Sequence, residues 1–424
     1  MGRSEPQVFA VRLKIMHAGE CDKGHARILW QVVATSTSAR RGTGGELSAG
    51  ELAVTRQLLI HGPATRGDLG DRLNLSYASM SRLARSLIGG GIASEDLEPP
   101  SAVGRPRQIL TAVPGARHVV GCKLTSDTAY AVVCDMFGEV SATARAALPA
   151  AVDGVVPVEA TAKIVAQLAT KLGRKVPSLD GIGVTVGGVV VDRTVVQEGT
   201  FLGWRDVDIG TPLRERTGLP VIVANDVAAL AREQLWFGAG RTHSTFGIIT
   251  VGAGLGFGVV REGVAVEQLI DNGHLLAHAP IDTRGPRCSL GHPGCVAAYL
   301  NREDVEAQAS AAAGHPVTFD DLVRARASGD PAATERLNAA ARALGHLIVT
   351  FAGALQTTCI VLAGEDLAAF TGSAPLNEVI DDRLRPGPTE SQRCSLDILT
   401  TPLTFTDWAR GAAVTGIQNA LGAH

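Results

Sequence analysis

Beyond Pro114 the chain alternates short β-branched runs with helical stretches, and it does so twice, which leaves few folds open. Residues 119–125, 129–135 and 139–145 read as three successive strands, 161–172 as a helix, and 181–186 and 221–223 as further strands. A second round opens with strands at 245–251 and 256–261, runs through helices at 304–313 and 330–355, and reaches a strand at 358–362. Such alternation predicts an α/β fold whose helices cover a sheet. Aromatic residues make up 4% of a chain that is 45% hydrophobic, so the core must come from Ala, Val, Leu and Ile.

The first part of the chain has a different character. From Ser48 the spacing is helical, with Leu52, Val54, Leu58, Leu59 and Ile60 forming an apolar stripe stopped by His61-Gly-Pro63. Thr65, with Asp68 three residues on, caps a short second helix whose Leu69 and Leu73 face inward. Asn74-Leu75 makes a turn, and a third helix starts at Ser76, with Met80, Leu83 and Leu87 inside and Gly89-Gly-Gly91 ending it. Short helix, turn and longer helix make a helix-turn-helix. Its outward residues read as Ser76, Tyr77, Ser79, Ser81, Arg82 and Arg85, hydroxyls and guanidiniums suited to base edges and phosphates in a major groove. Residues 92–95 and 108–112 alternate like a hairpin whose tip, Gly104-Arg-Pro-Arg107, resembles the wing of winged-helix proteins; Arg105 and Arg107 on that backbone fit a narrow minor groove. The alternative is a three-helix bundle with solvated arginines.

Charge supports the first reading. Through Arg117 there are 15 Lys and Arg against 10 Asp and Glu; the remainder has 24 against 32, so a basic front of +5 precedes an acidic body of −8. A length of 424 residues calls for more than one domain. We expect a poorly ordered extension over 1–45, in which 9–16 and 26–34 could form a short strand or helix. A winged helix-turn-helix follows over 46–115 and the α/β body over 116–424. Seven mostly isolated cysteines make no disulfide framework at this length. No apolar run is long enough to span a bilayer, and Met1–Glu20 lacks a signal-peptide core. A cytoplasmic protein without a membrane partner is expected.

Two motifs in the second round carry the chemistry. Val251-Gly-Ala-Gly-Leu-Gly-Phe-Gly258 is a glycine-rich turn of the kind that brings backbone N–H groups up to a phosphate. His278-Ala-Pro-Ile-Asp282 leads into Gly285-Pro-Arg-Cys-Ser-Leu-Gly-His-Pro-Gly-Cys295. Together they resemble the ROK family (repressors, open reading frames, kinases). The resemblance implies a two-lobed actin/hexokinase-like (RNase H-like) body and a His/Cys zinc site, and it covers roughly residues 45 to 420. Ser79-Met-Ser-Arg82 and the Gly-Arg-Pro wing stand where ROK repressors carry theirs.

Measured against the family's kinases, the nucleotide side is altered. The first phosphate loop, Asp-x-Gly-Gly-Thr in the kinases, corresponds to Lys123-Leu-Thr-Ser-Asp127. The acidic group that would help hold Mg²⁺ has become a cation, and Asp127 stands where a hydroxyl would meet phosphate. The second loop's threonine is Ala253, and the adenosine-side Gly-Gly-Gly is Ala363-Gly364-Glu365. No ATP is expected to bind and no kinase activity to follow.

The sugar side is mixed. Asn225-Asp226 matches the family's strand-end pair, in which the Asp is the base; otherwise Asp226 is a helix N-cap ahead of Val227. Gly187-Gly188 keeps a close-approach turn, but Phe201 and Leu275 replace hydrogen-bonding contacts. The implied effector contacts are Gly188, Asn225, Asp226 and His278. Either the ligand is a less hydroxylated or substituted sugar, or binding has been abandoned. Of the implied zinc ligands, His278, Cys288 and Cys295 are in place. Leu290 occupies the middle cysteine, and His292 nearby could restore four ligands.

The resemblance therefore predicts a ROK-type regulator, a repressor responding to a carbohydrate-related effector. It would bind a double-stranded operator as a homodimer or homotetramer. A sugar kinase with an accessory DNA-binding domain, or a ligand-independent DNA-binding scaffold, are the alternatives.

Overall fold

A computed structural model describes residues 13–15, 47–97, 107–266, 274–385 and 395–423. They fall into two compact units, one taking Gly24–Thr242 with Phe405–His424, the other Met1–Lys23 with His243–Thr404. Among the described residues no helix is long and apolar enough to cross a membrane. The second unit begins with the edge strand β1 (Leu13–Ile15), within the stretch that the sequence left as strand or helix.

The first unit opens with α1 (Ala49–His61), whose Ser48 cap closes a capping box with Glu51. β2 (Ala64–Thr65) leads into α2 (Arg66–Leu73), where Thr65 and Asp68 form the second capping box, and Asn74 ends the helix in the left-handed region at φ 53°. α3 (Tyr77–Gly89) follows from its Ser76 cap. β3 (Ala93–Leu97) and β4 (Gln108–Ala112) pair antiparallel, and β2 adds to β4. The two-residue β2 gave no sequence signal of its own.

The same unit continues with β5 (Val119–Leu124), β6 (Thr128–Cys134) and β7 (Val140–Ala147), then α4 (Val158–Gly173) and β8 (Gly181–Val186). A meander of β9 (Val189–Val191), β10 (Val195–Gly199) and β11 (Trp204–Asp208) comes next, followed by α5 (Gly210–Thr217), β12 (Val221–Asn225) and α6 (Asp226–Phe237). The main sheet has the order β12-β8-β5-β6-β7, antiparallel through β5, β6 and β7 and parallel through β5, β8 and β12.

The other unit repeats that plan. β13 (Phe246–Val251), β14 (Leu255–Arg261) and β15 (Val264–Ala265) are antiparallel; β16 (Cys359–Gly364) and β17 (Asp397–Pro402) extend the sheet in parallel, and β1 pairs with the edge of β17. Its helices are α7 (His274–Ala277), α8 (Val296–Leu300), α9 (Arg302–Ala313), α10 (Phe319–Ala327), α11 (Pro331–Leu355) and α12 (Ala374–Arg383). Strand order β15-β14-β13-β16-β17 matches β7-β6-β5-β8-β12 position for position, which is the two-round order read from the sequence.

The last helix, α13 (Phe405–Ala420), returns to the first unit and packs on β5 and β8. That packing explains two strand glycines. A Cβ on Gly121 would stand 2.0 Å from the Ala409 carbonyl oxygen, and one on Gly183 would stand 1.9 Å from that of Ala412. On the opposite face, Val120, Cys122, Ile182 and Val184 join Ala162, Val165 and Leu172 of α4 in one core cluster. Alternation along the strands thus puts α13 on one face and α4 on the other.

Candidate functional site

Helix α3 packs against α1 and α2, and its Met80, Ala84 and Leu87 are all buried. Leu83, expected inside, is half-buried and touches the space beside Gly50. The Arg66 guanidinium grips the Glu95 carboxylate with two bonds of 2.7 and 2.6 Å, tying α2 to β3. Of the expected outward residues, Ser76, Tyr77, Arg82 and Arg85 are exposed, Tyr77 to 77%. Ser76 also caps the helix by accepting from the Ser79 N–H at 3.3 Å, and Ser79 is half-buried.

Ser81 departs from the expectation. It is half-buried, and its Oγ is closed off from solvent without a hydrogen-bond partner. At about 100° per residue it lies on the flank of the Met80–Ala84 stripe rather than opposite it. Arg107 is exposed at the head of β4, while Arg105 and the rest of the expected wing tip lie outside the described residues.

A second group of predicted residues gathers at the C-terminal ends of β5, β8 and β12. Asn225, not Asp226, is the N-cap of α6; its Oδ1 accepts from Val227 and Ala228 N–H at 2.8 and 3.0 Å, and its Nδ2 donates to the Gly188 carbonyl at 2.8 Å. Asn225 takes the cap because its backbone is still extended, at φ −65° and ψ 144°, whereas Asp226 is already helical. Gly188 has φ 139°, and a Cβ there would fall 1.9 Å from the Glu198 carbonyl oxygen, so the turn admits only glycine.

Asp226 Oδ1 accepts the Val227 N–H at 2.8 Å, and Lys123 takes the other oxygen. Lys123 Nζ lies 2.5 Å from Asp226 Oδ2, with the two side chains 8% and 16% exposed. The ammonium also stands 5.7 Å from the Trp408 ring centre on α13. A Cβ on Gly187 would touch the Phe201 ring at 2.9 Å and stand 3.6 Å from Asp226 Oδ2, which places the half-exposed Phe201 beside the pair. A lysine in place of an acid is visible in the sequence; where its charge goes is visible only in the fold.

In the other unit the glycine-rich segment is a hairpin, with Gly252–Gly254 turning β13 into β14. A carboxylate already lies there: Glu365 Oε2 would be 2.0 Å from a Cβ on Gly252. Next to it, Asp366 is buried and ion-paired with Arg302, whose contribution opposes the upward push of burial on the Asp366 carboxyl. The turn that looked ready for phosphate has an internal anion pressed against it.

His278, Cys288, His292 and Cys295 converge in this unit, their ligand atoms all within 4.8 Å of one another. Cys288 Sγ is 3.6 Å from His278 Nδ1 and 3.7 Å from His292 Nδ1, and Cys295 Sγ is 3.6 Å from His278 Nδ1. Tetrahedral zinc, with sulfur at about 2.3 Å and nitrogen at about 2.0 Å, sets S···N edges of about 3.5 Å. Three of the six donor pairs match those edges and the others lie within 4.8 Å, so the donors suit zinc in type and need only close in slightly around it. Burial pushes the Cys295 thiol up, so a cation is what would favour its thiolate. Leu290, at the position of the missing cysteine, points to solvent at 58% exposure. Gly294, at φ 54°, brings the loop so close that a Cβ would meet the Asp282 carbonyl oxygen at 1.5 Å. His278 thus belongs to a different unit from Asn225 and Asp226.

Comparison with known proteins agrees with this architecture. Residues 121–413 match the ROK family model. The xylose repressor of Bacillus subtilis is 22% identical over 59% of this chain, and the match spans 65% of that relative's length, just under two thirds. The DNA-binding transcriptional repressor Mlc of Escherichia coli is 22% identical over 81% of this chain and 87% of its own. Among solved structures, a ROK family transcriptional regulator described as a homolog of E. coli MLC protein superposes with TM-score 0.69 and 22% identity, covering 88% of this chain and 96% of that one. The ROK hexokinase of Thermus thermophilus superposes with TM-score 0.59 and 26% identity, covering 71% of this chain and 98% of its own. The fold is that of ROK regulators and ROK kinases alike.

Proposed function

The chain belongs to the ROK family, and from that premise we propose that it is a DNA-binding transcriptional regulator, most simply a repressor, whose kinase-like body does not phosphorylate sugars. Residues 46–115 form the DNA-reading module and 116–424 the effector and dimerisation body. The relatives named as repressors support this reading, and the observation that carries it is the Lys123–Asp226 ion pair.

A carboxylate that must take a proton from a sugar hydroxyl needs its lone pairs directed at that hydroxyl. Here one oxygen of Asp226 faces the Lys123 ammonium and the other accepts the Val227 N–H at 2.8 Å. Lys123 also places a positive charge where Mg²⁺ would need an acidic ligand. Glu365 fills the space beside the glycine-rich turn that a phosphate would need.

DNA reading falls to α3, with Tyr77, Arg82 and Arg85 as its exposed contacts and Ser76 and Ser79 at its N-terminus. α6 begins at Asp226 and packs against α1 of the module, so a ligand that disturbs Asp226 acts on a helix the module rests on. The effector is carbohydrate-related, and it regulates only if it prefers one of two conformations. His278, Cys288, His292 and Cys295 would hold a structural zinc, which cross-links the 278–295 loop when bound.

A ligand-independent scaffold is the second reading, favoured by the same ion pair, because a self-satisfied Asp226 needs no effector. Two experiments test the proposal. A coupled assay with MgATP across common hexoses should stay at background. A gel shift on DNA flanking the chain's own gene should form a discrete complex that Arg82→Ala weakens. Hexose-dependent turnover that Asp226→Asn abolishes would establish the kinase instead.

A further inference from the structure

The face of the first unit's sheet turned away from α13 carries a groove that none of the chemistry above uses. It lies between α4 and α5, has a volume of about 560 Å³, and is lined by Lys163, Ala166, Thr170, Lys171, Arg174 and Arg216 among others. Lys163 and Lys171 are exposed on one side of α4, Arg174 is exposed at its C-cap, and Arg216 comes from α5 across the groove. A solvated helix face ordinarily interleaves acids with its lysines. On α4 the only acid is Glu159, and it is paired with Arg216. α5 adds one more acid, Glu215, between Arg214 and Arg216, so the cations of the two helices outnumber their acids, on a body whose net charge is −8.

We propose that this groove is an anion site for a small organic molecule carrying at least two phosphate-type groups, distinct from both the operator-reading face and the Asp226 region. The groove is largely open to solvent, so charge rather than enclosure would hold the ligand. The helical rise sets Lys163 and Lys171 about 12 Å apart along the axis, so two separated anionic groups would satisfy the rim better than one. The Thr170 hydroxyl already donates to the Ala166 carbonyl at 2.9 Å, so the lysine and arginine side chains, with the Gln167 amide, supply the anion's donors. Operator DNA is the wrong occupant. The DNA module packs on α6, α6 packs on α13, and α13 covers the opposite face of the same sheet.

Titration calorimetry of the full chain with hexane-1,6-diyl bisphosphate, whose two phosphates are held apart by an alkyl chain, at fixed ionic strength tests this. We expect saturable one-to-one binding, weakened at least tenfold in Lys171→Glu/Arg174→Glu and in the milder single variant Lys163→Gln. Arg82→Ala should leave it unchanged, and the groove variants should leave operator affinity unchanged, so this site and the regulator reading can fail separately. Binding that survives the groove variants overturns the proposal. So does sulfate competing equally well, which would mean an adventitious ion only, or non-operator duplex DNA displacing the probe, which would make the groove a nucleic-acid surface.

Discussion

The Lys123 ammonium stands 2.5 Å from the Asp226 carboxylate, joining the end of β5 to the first turn of α6. Both residues sit on elements that the sheet fixes, and neither is more than 16% exposed on its side chain. Geometry of this kind makes each charge the other's solvent. It also cancels the pair, leaving no net charge for a metal or a phosphate to respond to.

Breaking the pair from one side should therefore be costly. Lys123→Ala leaves a carboxylate largely buried and unpaired, and we expect a loss of about 3–5 kcal/mol in urea unfolding. Lys123→Met with Asp226→Leu should recover most of that loss, because both desolvation penalties vanish together. Equal destabilisation by the single and the double variant would show that the charges do not compensate each other.

On α3 the two neighbours Ser81 and Arg82 should behave in opposite ways. Ser81→Ala removes a hydroxyl that is shut off without a partner, so folding stability should be unchanged or improved and operator affinity unaltered. Arg82→Ala should cost about 1–3 kcal/mol of binding and relax preference at one base position if it reads a base edge. A phosphate contact would instead weaken all sequences equally and flatten the salt dependence. Anisotropy titrations on permuted sites separate these outcomes.

The His278, Cys288, His292 and Cys295 cluster predicts close to one zinc per chain by elemental analysis. Chelation should lower the melting temperature, and His292→Ala should reduce both metal content and that chelator response. Full zinc occupancy in His292→Ala would remove this residue from the ligand set.

Glu233 gives a pH signature. Burial pushes its carboxyl from 4.5 up to about 7, with the Arg410 guanidinium opposing and Asp407 adding to the rise. The folded chain then holds this proton more tightly than the unfolded chain does. Its contribution is complete below about pH 4.5 and is lost as pH rises through 7, at no more than about 1.4 kcal/mol per pH unit. Glu233→Gln should flatten that part of the stability profile. An unchanged slope would place the titrating group elsewhere.

Much of this was legible in the sequence because the local signals agreed. Ser48 with Glu51 and Thr65 with Asp68 are capping boxes on sight, and strand 181–186 was read to the residue. What escaped was set by tertiary contact. α13 contains Gly411 and Gly416, which count against a helix on propensity; Gly416 is there because a Cβ would meet Val119 at 2.5 Å. The strands β9 to β11 are short and broken by Asp192 and Arg193, both with positive φ. Asn225 and Asp226 are equally good caps in sequence, and only the backbone angle at the strand end decides between them. That Lys123 would meet Asp226 depended on β5 and β12 both flanking β8, a relation no local pattern carries.

The most direct test of the regulator reading is a footprint of the full chain on the DNA flanking its own and neighbouring genes, at physiological salt. A discrete protected site with two-fold symmetry, lost in Arg82→Ala and altered in occupancy by a sugar or sugar derivative, is the result predicted here. Uniform protection without sequence preference, equal for the parent chain and Arg82→Ala, would contradict it.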